Sequence, residues 1–212
     1  MKTSPFDAIA FDLLTALIDS WSLWIAVAGD ADRGRAWRMA SLTRVTSAGA
    51  YRPYDDIVHE SAVDVGIARQ KADELLGRWS DLRPWPDAAG ILQCLHGRRL
   101  AIVTNCSQRL AEIAAATTTG NFELIMSAER SGHYKTAPEA YRAASDALGL
   151  PPSRVLFVAG SPHDVPGAGA VGMPVYWANR AGAAVPAGAP TPIVVAPDLR
   201  QLPEVVGLAV GR

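Results

Sequence analysis

The sequence predicts an α/β protein: a parallel sheet with an all-helical insert after its first strand. Three observations carry that expectation. From about residue 84 onward, short β-rich runs bounded by small or polar residues alternate with helical stretches. The central runs are apolar throughout rather than alternating, as strands covered on both faces require. The segment 20–83 holds several helical patterns and no convincing strand, so it interrupts the strand–helix series.

The expected strands are "AIAFD" (8–12), "LAIVTN" (100–105), "ELIMS" (123–127), "VLFVAGS" (155–161), "PVYWAN" (174–179) and "PIVVA" (192–196). Between them, helices are expected near 87–97, 107–118, 137–149, 164–171 and 198–207. "TAPEAYRAASDALGL" is the clearest, with Ala137, Tyr141, Ala144 and Leu148 along one face and Gly149 as a stop. The insert reads as helices near 20–29, 33–48, 54–66 and 68–80, and "LRPWPDAAG" (82–90), with its two prolines, as the return linker. "AGAAVPAGAPT" (181–191) reads as a flexible loop. The expected organisation is therefore a core of residues 1–16 and 84–212 and a cap of residues 17–83, packed over the carboxyl ends of the strands.

Composition narrows the function classes. Apolar residues make up 49% of the 212, enough for a sizeable core. The net charge is −1 and Lys and Arg are scattered, which argues against nucleic acid or an anionic membrane as partner. Cys94 and Cys106 form neither a disulfide framework nor a metal spacing, and read as free thiols in a reducing compartment. The run 7–29 is apolar, but Asp7, Asp12, Asp19 and Ser20 interrupt it, and no leader pattern is recognisable. A soluble cytoplasmic protein is expected.

In sheets of this kind ligands sit outside the carboxyl ends of the strands. Four candidates converge there: Asp12 after strand one, Thr104-Asn105 after the next, Lys135 in "GHYKT" (132–136), and Ser161, His163 and Asp164 in "VLFVAGSPHD". Each has an ordinary alternative. Asp12, Thr104 or Asn105, and Asp164 could cap the helices that follow them, and Lys135 could be a solvated loop residue. Their joint occurrence at successive strand ends, in this order, argues for a common site.

These motifs resemble the haloacid dehalogenase (HAD) superfamily. The resemblance runs from residue 7 to about 182 and rests on "FDLLTAL", "IVTN", "YKTAPEAY" and "VLFVAGSPHDVPGAGAVGMPVYWANRAG". It implies a Rossmann-like parallel-sheet core with a helical cap, and Asp12 as a nucleophile that forms a covalent aspartyl intermediate. Family phosphatases carry a second Asp two residues after the nucleophile, and an acidic metal ligand four residues before the acid of the last motif. Here those positions are Leu14 and Gly160. An apolar Leu beside the nucleophile also disfavours a phosphate dianion, which is costly to desolvate.

The resemblance points instead to the branch that attacks carbon and needs no metal or other cofactor, which includes the L-2-haloacid dehalogenases. Thr104-Asn105, Lys135 and Tyr141 match its pattern, and Trp37-Arg38 resembles its cap arginine. By that likeness Asp12 displaces a leaving group from a substrate carbon, and water then cleaves the ester. Lys135 keeps Asp12 ionised and Asp164 orients or deprotonates the water. Thr104 and Asn105 bind the substrate carboxylate, with Leu14, Thr15, Trp21, Arg38, Tyr141, Ser161 and His163 completing the pocket. Arg38 suits either the halide or the carboxylate. The branch also implies a homodimer.

This sequence departs from the dehalogenase pattern in places. Leu14 replaces an aromatic residue, Thr15-Ala16 replaces Gly-Thr, Ala159 replaces Ser, and Ser161 replaces Asn. A relative in the branch, azetidine-2-carboxylate hydrolase, opens a cyclic amino acid by the same attack. "LIDSWSLW" (17–24) could serve such a cationic substrate through Trp21 and Trp24. The expected substrate is thus a small carboxylic or imino acid.

Overall fold

The structure, a computed structural model, describes residues 4–208. In chain order its first elements are β1 (Ala8–Phe11), a single π turn (Leu13–Leu17), β2 (Ile18–Asp19), α1 (Ser20–Ala28), α2 (Ala31–Ala48), α3 (Tyr54–Asp64), α4 (Arg69–Gly77) and β3 (Arg83–Pro84). There follow α5 (Ala88–Cys94), β4 (Arg99–Thr104), α6 (Gln108–Ala116), β5 (Leu124–Ser127), α7 (Ala128–Ser131) and α8 (Pro138–Leu148). The last are β6 (Val155–Ala159), α9 (Asp164–Ala170), β7 (Val175–Ala178), β8 (Val194–Ala196) and α10 (Leu202–Val205).

Six strands form one parallel sheet in the order β5-β4-β1-β6-β7-β8. This is the α/β class the sequence predicts. The continuous apolar runs have a simple cause. Successive side chains point to opposite faces, so Ile9 and Phe11 enter one core with Ile102 and Val158, while Ala8 and Ala10 enter the other with Val103 and Phe157. Helices cover both faces, so β1, β6 and β7 are buried at every position, whereas the edge strand β8 is buried only at Ala196. β1 and β6 are in register from Ala8 with Val155 to Phe11 with Val158, and Asp12 N extends the pairing by donating to Val158 O at 2.9 Å.

The helix ends follow local chemistry. Asp19 and Asp30 cap α1 and α2 through the backbone N–H of Ser22 and Arg33, and Ser107 caps α6. Pro138 opens α8, and Gly149, with φ of 66°, ends it in the left-handed region that glycine enters freely. Some expected bounds shift. The helix expected over 68–80 stops at Gly77 and is followed by a 3₁₀ turn, Trp79–Asp81. The one expected over 198–207 shortens to Leu202–Val205, because Asp198 accepts from Arg200 N and turns the chain there. β2 and β3 pair antiparallel, Ile18 with Pro84 and Asp19 with Arg83, so the chain leaves and re-enters the sheet layer side by side. That ribbon borders the segment 20–83, which is otherwise helical as expected, and two residues are too few to show a period.

Among the helices of the insert, α1 and α2 pack most closely. A Cβ at Gly34 would lie 2.5 Å from Ile25 Cα, so only glycine permits this approach. Gly90, by contrast, sits exposed inside α5 with open space around it. Urea denaturation should therefore show Gly34→Ala destabilised by about 1–3 kcal/mol and Gly90→Ala stabilised by about 0.5–1 kcal/mol.

Candidate active site

β1 carries Asp12 to the carboxyl edge of the sheet, between the ends of β4 and β6. The π turn then folds back over it. Asp12 Oδ2 accepts three hydrogen bonds from that turn: Thr15 N at 2.8 Å, Thr15 Oγ1 at 2.5 Å and Ala16 N at 3.1 Å. Asp12 Oδ1 accepts from Lys135 Nζ at 2.7 Å. The same Nζ reaches Asp164 Oδ2 at 3.2 Å, and Tyr141 OH donates to Asp164 Oδ1 at 2.8 Å. Asp12, Lys135 and Asp164 are 6%, 2% and 4% exposed. Capping and ion pairing, alternatives for Asp12 in the sequence, coexist: one oxygen serves each.

The electrostatics separate the two carboxylates. Burial pushes the Asp12 carboxyl up, but the Lys135 charge and the hydrogen bonds from Lys135 and Thr15 outweigh it and hold Asp12 below the usual range. Burial also raises Asp164; Lys135 opposes this, but the Asp12 charge adds to it, and the net shift is upward. Lys135 is disfavoured by burial yet held above its ordinary value by its two acidic partners.

Other predicted residues take up different posts. Asn105 Oδ1 accepts from Lys135 N at 2.7 Å and Asn105 Nδ2 donates to Lys135 O at 2.9 Å, so its amide clamps the lysine's own backbone. Thr104 is buried behind it, with Cys106 Sγ at 3.9 Å from its hydroxyl. Burial pushes the Cys106 thiol up to about 12. Neither Thr104 nor Asn105 caps α6, since Ser107 does. The Tyr141 ring meets Phe157 edge-on at 5.2 Å and fits because residue 167 is glycine: a Cβ there would lie 2.7 Å from the ring.

Arg38, on α2, is only 3% exposed. Among the described residues it has no carboxylate partner. Its Nη2 reaches Ser20 Oγ at 3.3 Å and its Nη1 reaches Tyr54 OH at 3.5 Å, while Nε has no partner. Its guanidinium lies 5.2 Å from the Trp24 ring and 5.9 Å from the Trp21 ring. The two tryptophans therefore face an arginine of the protein itself. A buried cation with only neutral partners is costly unless an anion joins it.

These groups line a cavity of about 40 Å³. Asp12, Leu14, Thr15, Arg38, Asn105, Lys135, Ser161, His163 and Asp164 contribute to its wall. Trp21, Thr104 and Tyr141 do not: the Trp21 ring faces the Arg38 guanidinium, the Thr104 hydroxyl faces Cys106, and the Tyr141 hydroxyl is bonded to Asp164. Ser41, Leu42, Val45, Thr46, Tyr54 and Thr136 line it as well and were not read from the sequence. A signal existed for three of them. Residues 38, 41, 42 and 45 share one face of a helix by their spacing. Position 160 has no room for a side chain, because a Cβ there would lie 2.3 Å from Thr15 C and Ala16 N. No group of three or more potential metal-ligating side chains occurs among the described residues. No described helix is long and apolar enough to cross a membrane.

The family model for haloacid dehalogenase-like hydrolases matches residues 7–172. The chain belongs to this family. It is 36% identical over 123 residues to haloacetate dehalogenase H-2 of Moraxella sp. (strain B), a stretch covering 56% of this chain and 53% of that protein. It is 28% identical over 216 residues to (S)-2-haloacid dehalogenase H-109 of Pseudomonas putida, covering 93% of this chain and 96% of that one. The fold matches the L-2-haloacid dehalogenase of Xanthobacter autotrophicus, solved with chloropropionic acid covalently bound, with a TM-score of 0.83. That match has 24% identity and covers 96% of this chain and all of the other.

In this haloacid dehalogenase-like chain Lys135 is, among the described residues, the one cation between two buried carboxylates. Lys135→Ala should cost about 3–5 kcal/mol of stability at neutral pH, measured by denaturant unfolding. Without the ammonium, burial would raise both carboxyl groups above their unfolded values. The folded state then binds more protons than the unfolded one, so the variant should regain stability as pH falls from about 7 to about 5.

Proposed function

We propose that the protein is a metal-independent 2-haloacid dehalogenase in which Asp12 attacks a carbon of a small 2-substituted acid and forms an aspartyl ester. The observation that carries this reading is the asymmetry of the Asp12 carboxylate: three turn donors on Oδ2 and only Lys135 on Oδ1. Oδ1 thus keeps a lone pair for attack. Its charge is maintained by Lys135 and kept from bulk water by burial, which strengthens a nucleophile.

The remaining groups suit the two half-reactions. Oδ1 bonds to the substrate carbon as the carbon–halogen bond breaks and halide leaves. Arg38, lacking a carboxylate partner, receives an anion of the substrate, either its carboxylate or the departing halide. Asp164, fixed by Tyr141 and Lys135, orients the water and takes its proton. Residues 17–83 act as a cap that brings Arg38 over the strand ends. The small cavity suits a substrate of few heavy atoms.

Phosphoryl transfer is disfavoured by the side chains themselves. Leu14 supplies no proton donor and position 160 has no space for a metal-binding carboxylate. Ring opening of azetidine-2-carboxylate loses its specific support, because Trp21 and Trp24 face Arg38 rather than the cavity, and two fixed cations favour an anionic leaving group over an amine.

The test is a substrate panel in the presence of EDTA: (S)- and (R)-2-chloropropionate, chloroacetate, azetidine-2-carboxylate and a phosphate ester. Chloride release from chloroacetate and one chloropropionate enantiomer, abolished in Asp12→Asn, is expected. Metal-dependent phosphate release well above background would overturn the reading.

A further inference from the structure

The two peptide groups whose N–H donors reach Asp12 Oδ2 are both gripped at their other end. Thr15 N–H belongs to the Leu14–Thr15 peptide, and the carbonyl of that unit, Leu14 O, accepts from Ser20 Oγ at 2.6 Å. Ala16 N–H belongs to the Thr15–Ala16 peptide, and its carbonyl, Thr15 O, accepts from Trp85 Nε1 at 3.0 Å. Both peptides are trans, so carbonyl and N–H point in opposite directions. Holding the carbonyl therefore aims the N–H. A donor on the carbonyl also polarises the peptide and strengthens the N–H as a donor.

Neither grip belongs to the turn. Ser20 is fully buried at the start of α1, and its Oγ is in turn approached by Arg38 Nη2 at 3.3 Å. Trp85 lies in the return linker after β3, where its own N donates to Leu17 O at 2.9 Å. Its ring is stacked under Arg180, with the guanidinium 4.8 Å from the ring centroid. Arg180 is anchored to Asp87 at 3.0 Å and donates to the next carbonyl, Ala16 O, at 3.1 Å. The two crossings between helical insert and sheet layer thus each supply one grip.

We infer that Ser20 and Trp85 are positioning residues for hydrolysis of the ester, through an oxyanion hole they hold around Asp12 Oδ2. The inference rests on the reading of Asp12 as nucleophile. In the first step Oδ1 gives a lone pair to the substrate carbon, and halide departs with the pair of the broken bond. Oδ2 is then the ester carbonyl oxygen. In the second step water, losing its proton to Asp164, adds to Asp12 Cγ, and the carbonyl pair moves onto Oδ2. Collapse restores that double bond and breaks Cγ–Oδ1, so Oδ1 leaves in the product as its hydroxyl oxygen after taking a proton. Charge grows on Oδ2 only in the second step. Donors aimed there accelerate hydrolysis, whereas in the first step they draw charge from the nucleophile.

The two half-reactions should accordingly separate in Trp85→Phe, which keeps the ring and loses one N–H, and in Ser20→Ala. Rapid-quench single turnovers with whichever haloacid is turned over, followed by intact-mass and peptide mapping, read ester formation and decay. Ester decay should slow by about 10-fold or more, with formation changed less than about 3-fold and the ester accumulating on Asp12. Equal slowing of both steps, or no slowing of decay, in both variants would overturn the inference while leaving Asp12 as nucleophile. Absence of any adduct on Asp12 in wild type and variants would overturn the nucleophile reading and this one with it.

Discussion

A single ammonium group, Lys135 Nζ, lies between two buried carboxylates, and the rest of the site depends on it. Removing either carboxylate from water is expensive, and the attraction to one shared cation offsets that cost only when hydrogen bonds satisfy the remaining oxygens. The protein supplies those bonds from the turn on Asp12 Oδ2 and from Tyr141 on Asp164 Oδ1. The outcome is unequal. Asp12, with three turn donors, is held low, while Asp164, with one phenol, is held high. Two acids of one chemical type are thereby held at opposite sides of the usual carboxyl range, as the proposed mechanism requires of them.

The ammonium is itself fixed from behind. Asn105 bonds both backbone groups of Lys135, so the residue just after β4 locks a loop thirty residues later in the chain. The sheet thus sets the positions of Asp12, Lys135 and Asp164, and the helical insert contributes Arg38. The charge of Arg38 is buried without an opposing carboxylate among the described residues, which is the feature on which its proposed role toward an anionic substrate rests.

The legible part of this protein is the part written locally. Strands buried on both faces appear as continuous apolar runs, and a strand end followed by Asp, Thr-Asn or Ser-Pro-His-Asp marks the ligand edge of a parallel sheet. The less legible part depends on contacts between distant residues. Asn105 and Tyr141 were expected to touch substrate, yet their polar atoms are committed to Lys135 and Asp164. Thr15 likewise spends its hydroxyl on Asp12, from a position one residue earlier than the family pattern places it. Trp21 carries the features of a cation-binding aromatic, and the cation it meets is Arg38. Ser20 and Trp85 stand 65 residues apart and meet the same turn because β2 and β3 pair, and a two-residue ribbon leaves no periodic trace.

The proposed mechanism requires a carboxylate oxygen of the protein to leave in the product. One turnover in heavy-oxygen water, with enzyme in excess over a haloacid substrate, tests it directly. The peptide containing Asp12 should carry the heavy isotope, and the hydroxy acid formed in that first cycle should be unlabelled. Label in the product and none in the Asp12 peptide would mean that water attacks the substrate itself, which contradicts the mechanism.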